Sequence, residues 1–522
     1  MDRTGRRILW VDDEIELLRP HLLILEQRGY QVDAVSNGDD AVALLSSRSY
    51  DLLLLDEHMP GRRGLDVLEF LRRDDPHARV VMVTKSEDDG TMTQAIGRGV
   101  EDYIVKPTSP RQVLSTVTRV LEGAEIHQRQ VAQDFAARFG ELGLLRSEAE
   151  TAADYASLYS ELVEWHLRLS SAGESGLLDS VASLLAEVRR DFAPWLREEY
   201  PRWVRGQGDR PVLSVDVVNT HLVPLLGEKP VLFVLLDCMR LDQWRVLAPL
   251  LAGSFDVEES LHYSILPTAT PFSRNGIFSG LFPDEIARDH PQWWGNLNDE
   301  GSLNAYEDRL LREQLRNRAG RQVPVHYEKV FSDRNGEELR GRVHSAFKRE
   351  GVVVALVFNF MDLLIHTRSE SEVFMEVARD EVSLRDLTRA WFERSTVKAL
   401  LEDAAREGVP AVVATDHGSI HCRRPTTVYA RKDATQNLRY KFGRNITAED
   451  PSTLFSTSDP KDLRLPSQGS GVNYVLATED YYMVYPTKLR EYQSRYRGAF
   501  LHGGVAPEEV IVPVAVLTPR SS

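Results

Sequence analysis

Two groups of residues in this chain have the types and spacing needed for phosphate chemistry. The first lies near the start and combines three carboxylates with a lysine: Asp12, Asp13, Asp56 and Lys106. Crowded carboxylates repel one another unless a hard cation joins them, and Mg²⁺ binds carboxylate and carbonyl oxygens well. The second group lies downstream and offers Asp, His and Thr side chains, a donor set that zinc accepts. We therefore predict a Mg²⁺ pocket and, separately, a site for two metal ions.

The downstream group suits hydrolysis through a covalent intermediate. Its members are Asp237, Thr270, Asp362, His366, Asp416, His417 and His502. Two cations about 4 Å apart would clamp a phosphoryl group and stabilise both the attacking and the leaving oxygen. A free hydroxyl is a weak nucleophile near neutral pH, so Thr270 needs coordination to a metal to become reactive. The group predicts a phosphothreonine that water then hydrolyses.

Composition limits the class of protein. The 522 residues are enough for two or three domains, and the net charge of -16 argues against a general affinity for nucleic-acid backbone. Two cysteines, Cys238 and Cys422, cannot form a disulfide framework, which favours a reducing compartment. We find no apolar stretch long enough to span a bilayer. We expect a cytoplasmic protein with no membrane insertion.

The elements that position the first group alternate in a regular way. From residue 7 to about residue 123, short apolar runs such as RILWV and DLLLLD alternate with amphipathic helical patterns. This is the pattern of a parallel sheet covered on both faces. Ligands of such sheets gather outside the carboxyl ends of the strands. The four residues of the first group and Thr84 fall there, so one pocket should collect them.

At these residues the segment resembles a response-regulator receiver domain, a flavodoxin-like α/β fold. The resemblance is carried by VDDE, by DEHMP with the following Gly64, by VVMVTK and by YIVKP. It implies that a sensor histidine kinase phosphorylates Asp56 and that the bond between Lys106 and Pro107 is cis. It implies a Mg²⁺ site formed by Asp12, Asp13, Asp56 and the carbonyl of His58. It also implies that the change at Asp56 is reported by Thr84, Tyr103 and Lys106.

Residues 124–210 read as a helical bundle connector. Apolar positions recur at helical spacing, and the segment contains ten Arg, no Lys and fifteen acidic residues. A DNA-reading helix would need a basic face, so we expect no sequence-specific DNA binding. We expect Trp195, Tyr200 and Trp203 to pack against a neighbouring domain. The break from Gly206 to Pro211 suits a linker.

The second group also falls on parallel-sheet elements. The buried runs VLFVLLD and VPAVVAT end in Asp237 and in Asp416-His417. Thr270 precedes a predicted helix, where backbone N–H groups attract phosphate. Asp362 and His366 are four residues apart and share one face if DLLIH is helical.

These residues resemble the alkaline-phosphatase superfamily and, within it, the PglZ group. The motifs are LLD, PTATPFSRNGIFSG, DLLIH, TDHG and HGG, in that order. The resemblance implies an alkaline-phosphatase-like α/β domain with a mostly parallel sheet and two Zn²⁺ ions. One ion would be held by Asp362, His366 and His502, and the other by Asp237, Thr270, Asp416 and His417. Asn275 would orient substrate oxygens.

The nucleophile segment narrows the substrate. The C/S-x-P-x-R pattern of sulfatases is absent, and PTAT followed by Asn275 is similar to the nucleotide phosphodiesterase branch. We predict diesters of nucleotides or of short or cyclic oligonucleotides. Five basic residues offer either local positive charge for such a substrate or ordinary solvated surface: Arg274, Arg423, Arg424, Arg431 and Lys432.

The order of segments resembles the PorX-type response regulators, a family associated with type IX secretion. We predict a receiver at 1–123, a connector at 124–210 and a PglZ domain at 211–522. The resemblance implies secretion-motor or sigma-factor proteins as further partners. Two hypotheses compete. In one, phosphorylation drives a homodimer that controls a zinc phosphodiesterase; in the other, the PglZ domain is chiefly a protein-docking module with little catalysis.

Overall fold

The computed structural model describes residues 5–85, 97, 99–295, 304–370, 372–431 and 434–520. The chain divides into two compact units. One comprises Met1–Asp134 with Ala172–Glu174, and the other comprises Phe135–Ser171 with Ser175–Ser522. Most of the predicted connector therefore belongs to the second unit, while the three predicted domain limits stay predictions. Within the described ranges, no helix is both long enough and apolar enough to cross a membrane.

The first unit contains a five-stranded parallel sheet with the strand order β2-β1-β3-β4-β5. Its apolar strand residues are buried in two clusters, one on each face. The flavodoxin-like α/β prediction is confirmed, and the peptide bond between Lys106 and Pro107 is cis as predicted. The elements are β1 (Arg7–Val11), α1 (Arg19–Arg28), β2 (Gln31–Val35), α2 (Gly38–Ser47), β3 (Leu52–Leu55), α3 (Gly64–Asp74), β4 (Val80–Thr84) and β5 (Asp102–Val105).

Three long helices form the predicted connector. They are α4 (Pro110–Glu148), α5 (Ala152–Ser171) and α6 (Ser175–Trp203). Two of the three aromatic residues near the end of α6, Tyr200 and Trp203, pack against the following segment as predicted. Trp203 meets Tyr263 edge to face with ring centres 5.4 Å apart, and the Tyr200 hydroxyl accepts a hydrogen bond from Leu266 N at 2.9 Å. Trp195 instead packs inside the connector, where its ring lies tilted against Tyr155 with ring centres 4.4 Å apart.

The rest of the second unit is built on strands and shorter helices. The strands are β6 (Val231–Leu236), β7 (Phe255–Tyr263), β8 (Val325–Val330), β9 (Val353–Phe358), β10 (Ala411–Ala414), β11 (Ile420–His421), β12 (Arg424–Tyr429), β13 (Tyr440–Arg444), β14 (Thr447–Ala448), β15 (Leu454–Thr457), β16 (Val472–Ala477), β17 (Tyr481–Val484), β18 (Phe500–Leu501) and β19 (Ile511–Pro519). The helices are α7 (Leu241–Leu247), α8 (Thr270–Ser279), α9 (Pro283–Asp289), α10 (Glu307–Ala319), α11 (Gly336–Phe347), α12 (Phe360–Glu370), α13 (Glu372–Val377), α14 (Glu381–Phe392), α15 (Thr396–Arg406), α16 (Leu489–Tyr496) and α17 (Pro507–Val510).

A six-stranded sheet with the order β7-β19-β10-β6-β9-β8 organises this region. Strands β10, β6, β9 and β8 pair in parallel, and β19 runs antiparallel to both of its neighbours. The inner parallel strands β10, β6 and β9 are apolar throughout because helices cover both faces, where two large clusters form the core. The edge strand β8 carries polar residues and is only partly buried. The predicted mostly parallel sheet is confirmed. Smaller two- and three-stranded sheets pair the strands from β11 to β18.

Candidate functional sites

The receiver pocket forms where β1 and β3 end. Asp12 and Asp56 are buried, Asp13 is exposed, and ligand oxygens of all three lie within 4.8 Å of one another. Lys106, just after β5, reaches the two buried carboxylates. Its Nζ lies 2.7 Å from Asp12 Oδ2 and 2.6 Å from Asp56 Oδ2. The structure thus brings together the first group of residues.

The negative charge of this pocket is not fully compensated by Lys106, which favours binding of a further cation. Burial raises the pKa of Asp12 even though Lys106 opposes the shift. Burial lowers the pKa of Lys106, but the facing carboxylates of Asp12 and Asp56 together raise it by more, so the net shift is upward. One ammonium therefore does not fully stabilise the ionised form of Asp12. An oxygen-rich group with one exposed carboxylate, Asp13, fits Mg²⁺, which keeps several of its waters.

The predicted switch residues surround the same pocket. Thr84 ends β4 and is fully buried, and its carbonyl accepts a hydrogen bond from Lys106 N at 2.8 Å. Tyr103 lies half-buried in β5 and packs against the apolar cluster on one face of the sheet. The His58 backbone N–H donates to Asp56 Oδ1 at 3.3 Å. Gly64 must lack a side chain because a Cβ there would stand 2.4 Å from the Asp56 carbonyl oxygen.

In the second unit, the first set of predicted ligands meets at the ends of β6 and β10. One ligand atom each of Asp237, Asp416 and His417 lies within 4.8 Å of the others, and all three side chains are buried. The Thr270 hydroxyl is 3.1 Å from His417 Nε2 and 3.5 Å from Asp237 Oδ1. Thr270 starts α8, which has Pro271 in its first turn and ends at a left-handed Gly280. The nucleophile predicted from sequence therefore points at this set.

The second set of predicted ligands lies beside it. Asp362 Oδ1 is 3.3 Å from His366 Nε2, one turn later on α12, and 3.5 Å from His502 Nε2. Burial would raise the pKa of Asp362, but the two imidazoles hold it well below its usual range. The rings of His417 and His502 stack with centres 4.3 Å apart. The two sets are thus adjacent, as a clamp on one phosphoryl group requires.

Hydrogen bonds fix how two of the histidines present their nitrogens. His417 Nδ1 is 3.1 Å from the Gly418 carbonyl, and His502 Nδ1 is 3.4 Å from the Thr268 carbonyl. A carbonyl only accepts, so each Nδ1 carries the proton and each Nε2 lone pair faces the site. Burial lowers the pKa of His417 to about 4, which keeps its ring in the neutral form that binds metals.

Buried oxygens test whether metal ions fit here. Among the described residues of the two sets, Asp416 Oδ2 is buried and accepts no hydrogen bond. Burial raises the pKa of Asp237 well above its usual range, and the negative charge of Asp416 adds to this shift. Buried carboxylates in this condition are stabilised by cations. The mixed imidazole and carboxylate donors fit zinc, with manganese as the other metal that accepts such a set.

A buried ion bridge behind the first set was not foreseen. Arg274 Nη1 donates to Asp237 Oδ2 and Arg274 Nε to Glu307 Oε1, each at 2.7 Å. Asn359 Nδ2 also donates to Asp237 Oδ2 at 2.7 Å. Neither predicted role of Arg274, substrate charge or solvated surface, is correct, because its guanidinium is buried and paired. A buried Asp at a strand end needs a donor, but no local pattern in the sequence indicates which arginine supplies it.

Of the other basic residues singled out, Arg424 pairs with Glu479 and Asp480 and lies over the Tyr481 ring. Arg423 and Arg431 are exposed. Lys432 lies outside the described residues.

Asn275 lies beneath the nucleophile and is fully buried. Its Nδ2 donates to the Pro271 carbonyl at 2.9 Å, and its Oδ1 accepts from Asn304 Nδ2 at 3.3 Å. Asn304 Nδ2 also lies 3.2 Å from the Thr270 carbonyl. The amide of Asn275 is therefore used inside the protein to hold the first turn of α8.

The turn after β6 is strained. Cys238 has a φ of 64°, a left-handed backbone conformation that residues other than Gly rarely adopt. The turn is joined to the loop after β10, because Cys238 N donates to Asp416 Oδ1 at 3.2 Å and Met239 N to Thr415 Oγ1 at 2.9 Å. Strain of this kind persists only where surrounding contacts enforce it. These contacts tie the turn of Asp237 to the loop of Asp416 and His417.

Three family models match successive segments of the chain. The model of the response regulator receiver domain matches residues 8–118, and that of the PorX response regulator linker domain matches residues 125–204. The model of the BREX system PglZ alkaline phosphatase-like domain matches residues 217–517.

Curated relatives match over part of their length. The chain is 38% identical over 125 residues to the transcriptional regulatory protein ResD of Bacillus subtilis, covering 24% of this chain and 52% of ResD. It is 40% identical over 123 residues to the alginate biosynthesis transcriptional regulatory protein AlgB of Pseudomonas aeruginosa, covering 24% of this chain and 27% of AlgB. The chain thus spans about half of the first relative and about a quarter of the second.

Solved receiver domains match about the same share of this chain as the curated relatives do. The CheY-like receiver domain protein of Methanospirillum hungatei is 28% identical and covers 23% of this chain and 96% of its own, with a TM-score of 0.22. The non-phosphorylated HemR receiver domain of Leptospira biflexa is 25% identical and covers 22% of this chain and 94% of its own, with a TM-score of 0.22.

Proposed function

Since the chain belongs to the PglZ alkaline phosphatase-like family and carries this domain behind a response-regulator receiver and a PorX-type linker, we propose that it is a phosphorylation-controlled phosphodiesterase. The observation that carries the proposal is the placement of Thr270. Its hydroxyl faces one complete set of metal ligands, and a second set lies beside the first. A docking domain would not need a hydroxyl at this point.

The residues of the chain would divide the work as follows. Asp237, Asp416 and His417 would hold one zinc ion with Thr270, and Asp362, His366 and His502 the other. Bound there, the two cations would lower the pKa of the Thr270 hydroxyl and stabilise the charge that develops on the phosphoryl oxygens. The Thr270 hydroxyl would attack phosphorus and expel one alcohol of the diester. Water would then hydrolyse the phosphothreonine ester, which releases the remaining phosphate monoester and restores the hydroxyl.

The pairing of Arg274 supports a diester rather than a monoester substrate. A monoester carries a second negative charge near neutral pH, and extra basic groups usually bind it. Arg274 is already held by Asp237 and Glu307, and Lys329 lies 3.0 Å from Glu307 Oε2. A singly charged nucleotide or short oligonucleotide diester places less demand on these groups. Asn275 would act as a positioning residue for Thr270 rather than as a substrate contact.

The receiver would supply the control. It implies a sensor histidine kinase as partner, and Asp56, with Mg²⁺ held beside it, would accept the phosphoryl group. Thr84 and Tyr103 would respond to the new charge. Phosphorylation would favour a homodimer and change the rate of hydrolysis. The secretion-motor and sigma-factor partners stay predictions.

The test combines metal content with hydrolysis of bis-p-nitrophenyl phosphate and of the corresponding monoester. We expect about two zinc ions per chain and a loss of diesterase activity of at least about 1,000-fold in Thr270→Ala. Ser273→Ala is the matched control, because Ser273 lies on the same helix but donates to the Ala269 carbonyl at 3.0 Å. Bound metal without turnover in the wild type would overturn the enzyme proposal in favour of a docking module.

A further inference from the structure

Arg240 connects the metal-ligand loop after β10 to the rest of the second unit. It follows Asp237 by three residues and is buried. Its Nη1 donates to the Ser419 carbonyl at 3.1 Å, and its Nε donates to Asp242 Oδ1 at 2.8 Å. Ser419 lies two residues after His417. Arg240 therefore fixes the far end of the loop whose near end is held by Cys238 and Met239.

The same ion pair continues to the connector. Asp242 Oδ2 accepts from Arg385 Nη1 of α14 at 3.1 Å. Arg385 Nη1 also lies 3.1 Å from His166 Nδ1, and its Nη2 lies 3.3 Å from Ser170 Oγ, both on α5. A guanidinium only donates, so His166 Nδ1 must accept and the ring must be neutral. An unbroken chain of hydrogen bonds thus runs from α5 to the Ser419 carbonyl.

A second connector helix reaches the loop from the other side. Arg189 of α6 donates through Nε to Glu508 Oε1 at 2.8 Å. Glu508 belongs to α17 and touches the loop directly, since a Cβ on Gly418 would stand 2.0 Å from the Glu508 carbonyl oxygen. Gly418 N also donates to the Glu509 carbonyl at 3.1 Å. The loop is therefore held between two supports that both end on the connector.

The contacts between connector and hydrolase leave space for movement. A cavity of about 360 Å³ is lined by His166 of α5, Arg189 of α6 and Arg385 of α14. Close apolar packing resists displacement, whereas ion pairs across a cavity can lengthen or exchange partners. A shift of α5 or α6 would act on the loop through these pairs.

We propose that the connector is part of the support of the hydrolytic site, with Arg240, Arg385 and Arg189 as positioning residues that place Asp416 and His417 opposite Asp237 and Thr270. This inference rests on the proposed function and adds the route by which its rate is regulated. It predicts an asymmetry. Weakening the connector contacts should disturb the set of Asp237, Asp416 and His417 more than the set of Asp362, His366 and His502.

The experiment uses the full chain loaded with zinc, with His166→Ala and Arg189→Gln as separate variants. Neither residue touches a metal ligand. Arg138→Gln is the matched control, because Arg138 pairs with Glu161 inside the connector, at 2.7 and 3.0 Å. Backbone hydrogen exchange of residues 415–421 and the kinetics of zinc release to a chelator are measured together with kcat and KM.

In both variants we expect faster exchange of residues 415–421 and release of one of the two zinc ions about tenfold faster, with kcat falling more than KM changes. Exchange and zinc release equal to those of Arg138→Gln would overturn the inference. Exchange of the α5 and α6 amides in the same data identifies a variant that has lost its connector, and the other variant then decides. If the wild type hydrolyses no diester, the proposed function fails, while exchange and zinc release still decide the coupling.

Discussion

The two acidic pockets of this protein solve the same electrostatic problem in opposite ways. In the receiver, Lys106 already lies between Asp12 and Asp56, and exposed Asp13 completes the ligand oxygens. In the hydrolase, Asp237, Asp416 and His417 are buried, the opening lies on the side of exposed His366, and a guanidinium pairs with Asp237. A pocket that takes a phosphoryl group from another protein needs an open side. A pocket that stabilises a transition state gains from excluding water, because charges interact more strongly there.

The backbone differs between the pockets as well. Of the described residues other than Gly, Cys238 is the one with a left-handed φ that adjoins a predicted ligand, and it lies in the hydrolase. The turns after β1 and β3 in the receiver contain no such residue within the described part of the chain. The hydrolase turn is held by hydrogen bonds from its backbone N–H groups to a second loop, whereas the receiver turns are joined through the Lys106 side chain, which reaches Asp12 and Asp56.

The largest effect is expected from a substitution that tests the left-handed conformation of Cys238. Cys238→Val places a β-branched side chain in the left-handed region, where it is strongly disfavoured. Cys422→Val is the matched control, since Cys422 is equally buried but lacks a positive φ. We expect Cys238→Val to lower the free energy of unfolding by about 2 kcal/mol more than Cys422→Val does. Urea unfolding measures both, and equal losses would mean that the turn carries no strain.

A smaller effect is expected when the arginine that pairs with the buried Asp237 is removed. Arg274→Gln removes the guanidinium behind Asp237 and leaves two buried carboxylates without it. We expect zinc affinity at one of the two positions, and kcat/KM for the diester, to fall about tenfold. Arg316→Gln, which breaks the pair with Glu313 on the surface of α10, should change neither. Competition with a chromogenic zinc chelator measures the affinity, and an unchanged value would show that the bridge only stabilises the fold.

The smallest effect concerns the receiver. In the folded receiver, the pKa of Asp12 is raised above its value in the unfolded chain, so the folded state binds more protons. The free energy of unfolding without Mg²⁺ therefore falls as pH rises through the raised pKa. Asp12→Asn should remove this dependence and raise the free energy of unfolding near pH 7 by about 1 kcal/mol. Thermal unfolding in chelator at several pH values checks it. A variant that keeps the pH dependence of the wild type would place its origin elsewhere.

Much of the candidate site follows from sequence because strands end in recognisable places. Asp12, Asp56, Asp237 and Asp416 each follow a buried apolar run, and carboxyl ends of parallel strands meet at one edge of a sheet. The spacing of Asp362 and His366 placed both on one helix face, which the structure shows. The resemblance then sorted the ligands into the two sets that the structure brings together.

Contacts between distant segments could not be read in this way. Arg274 of α8, Glu307 of α10 and Asn359 between β9 and α12 are far apart in sequence. Arg274 and Asn359 meet at Asp237, and Glu307 joins them through Arg274. The connector was predicted as a separate segment, yet most of it belongs to the unit of the hydrolase.

By itself, the sequence determined the mostly parallel sheet and the residues able to bind metal, because local periodicity and strand ends depend on neighbours in the chain. The order of receiver and PglZ domain came from the resemblance of its motifs to those families. Only the tertiary structure decided that Asn275 turns inward, that Arg274 is a buried bridge and that α5 and α6 reach the loop of His417. Those outcomes depend on which long polar side chains find a partner when their surroundings exclude water. Residue type alone leaves that choice open.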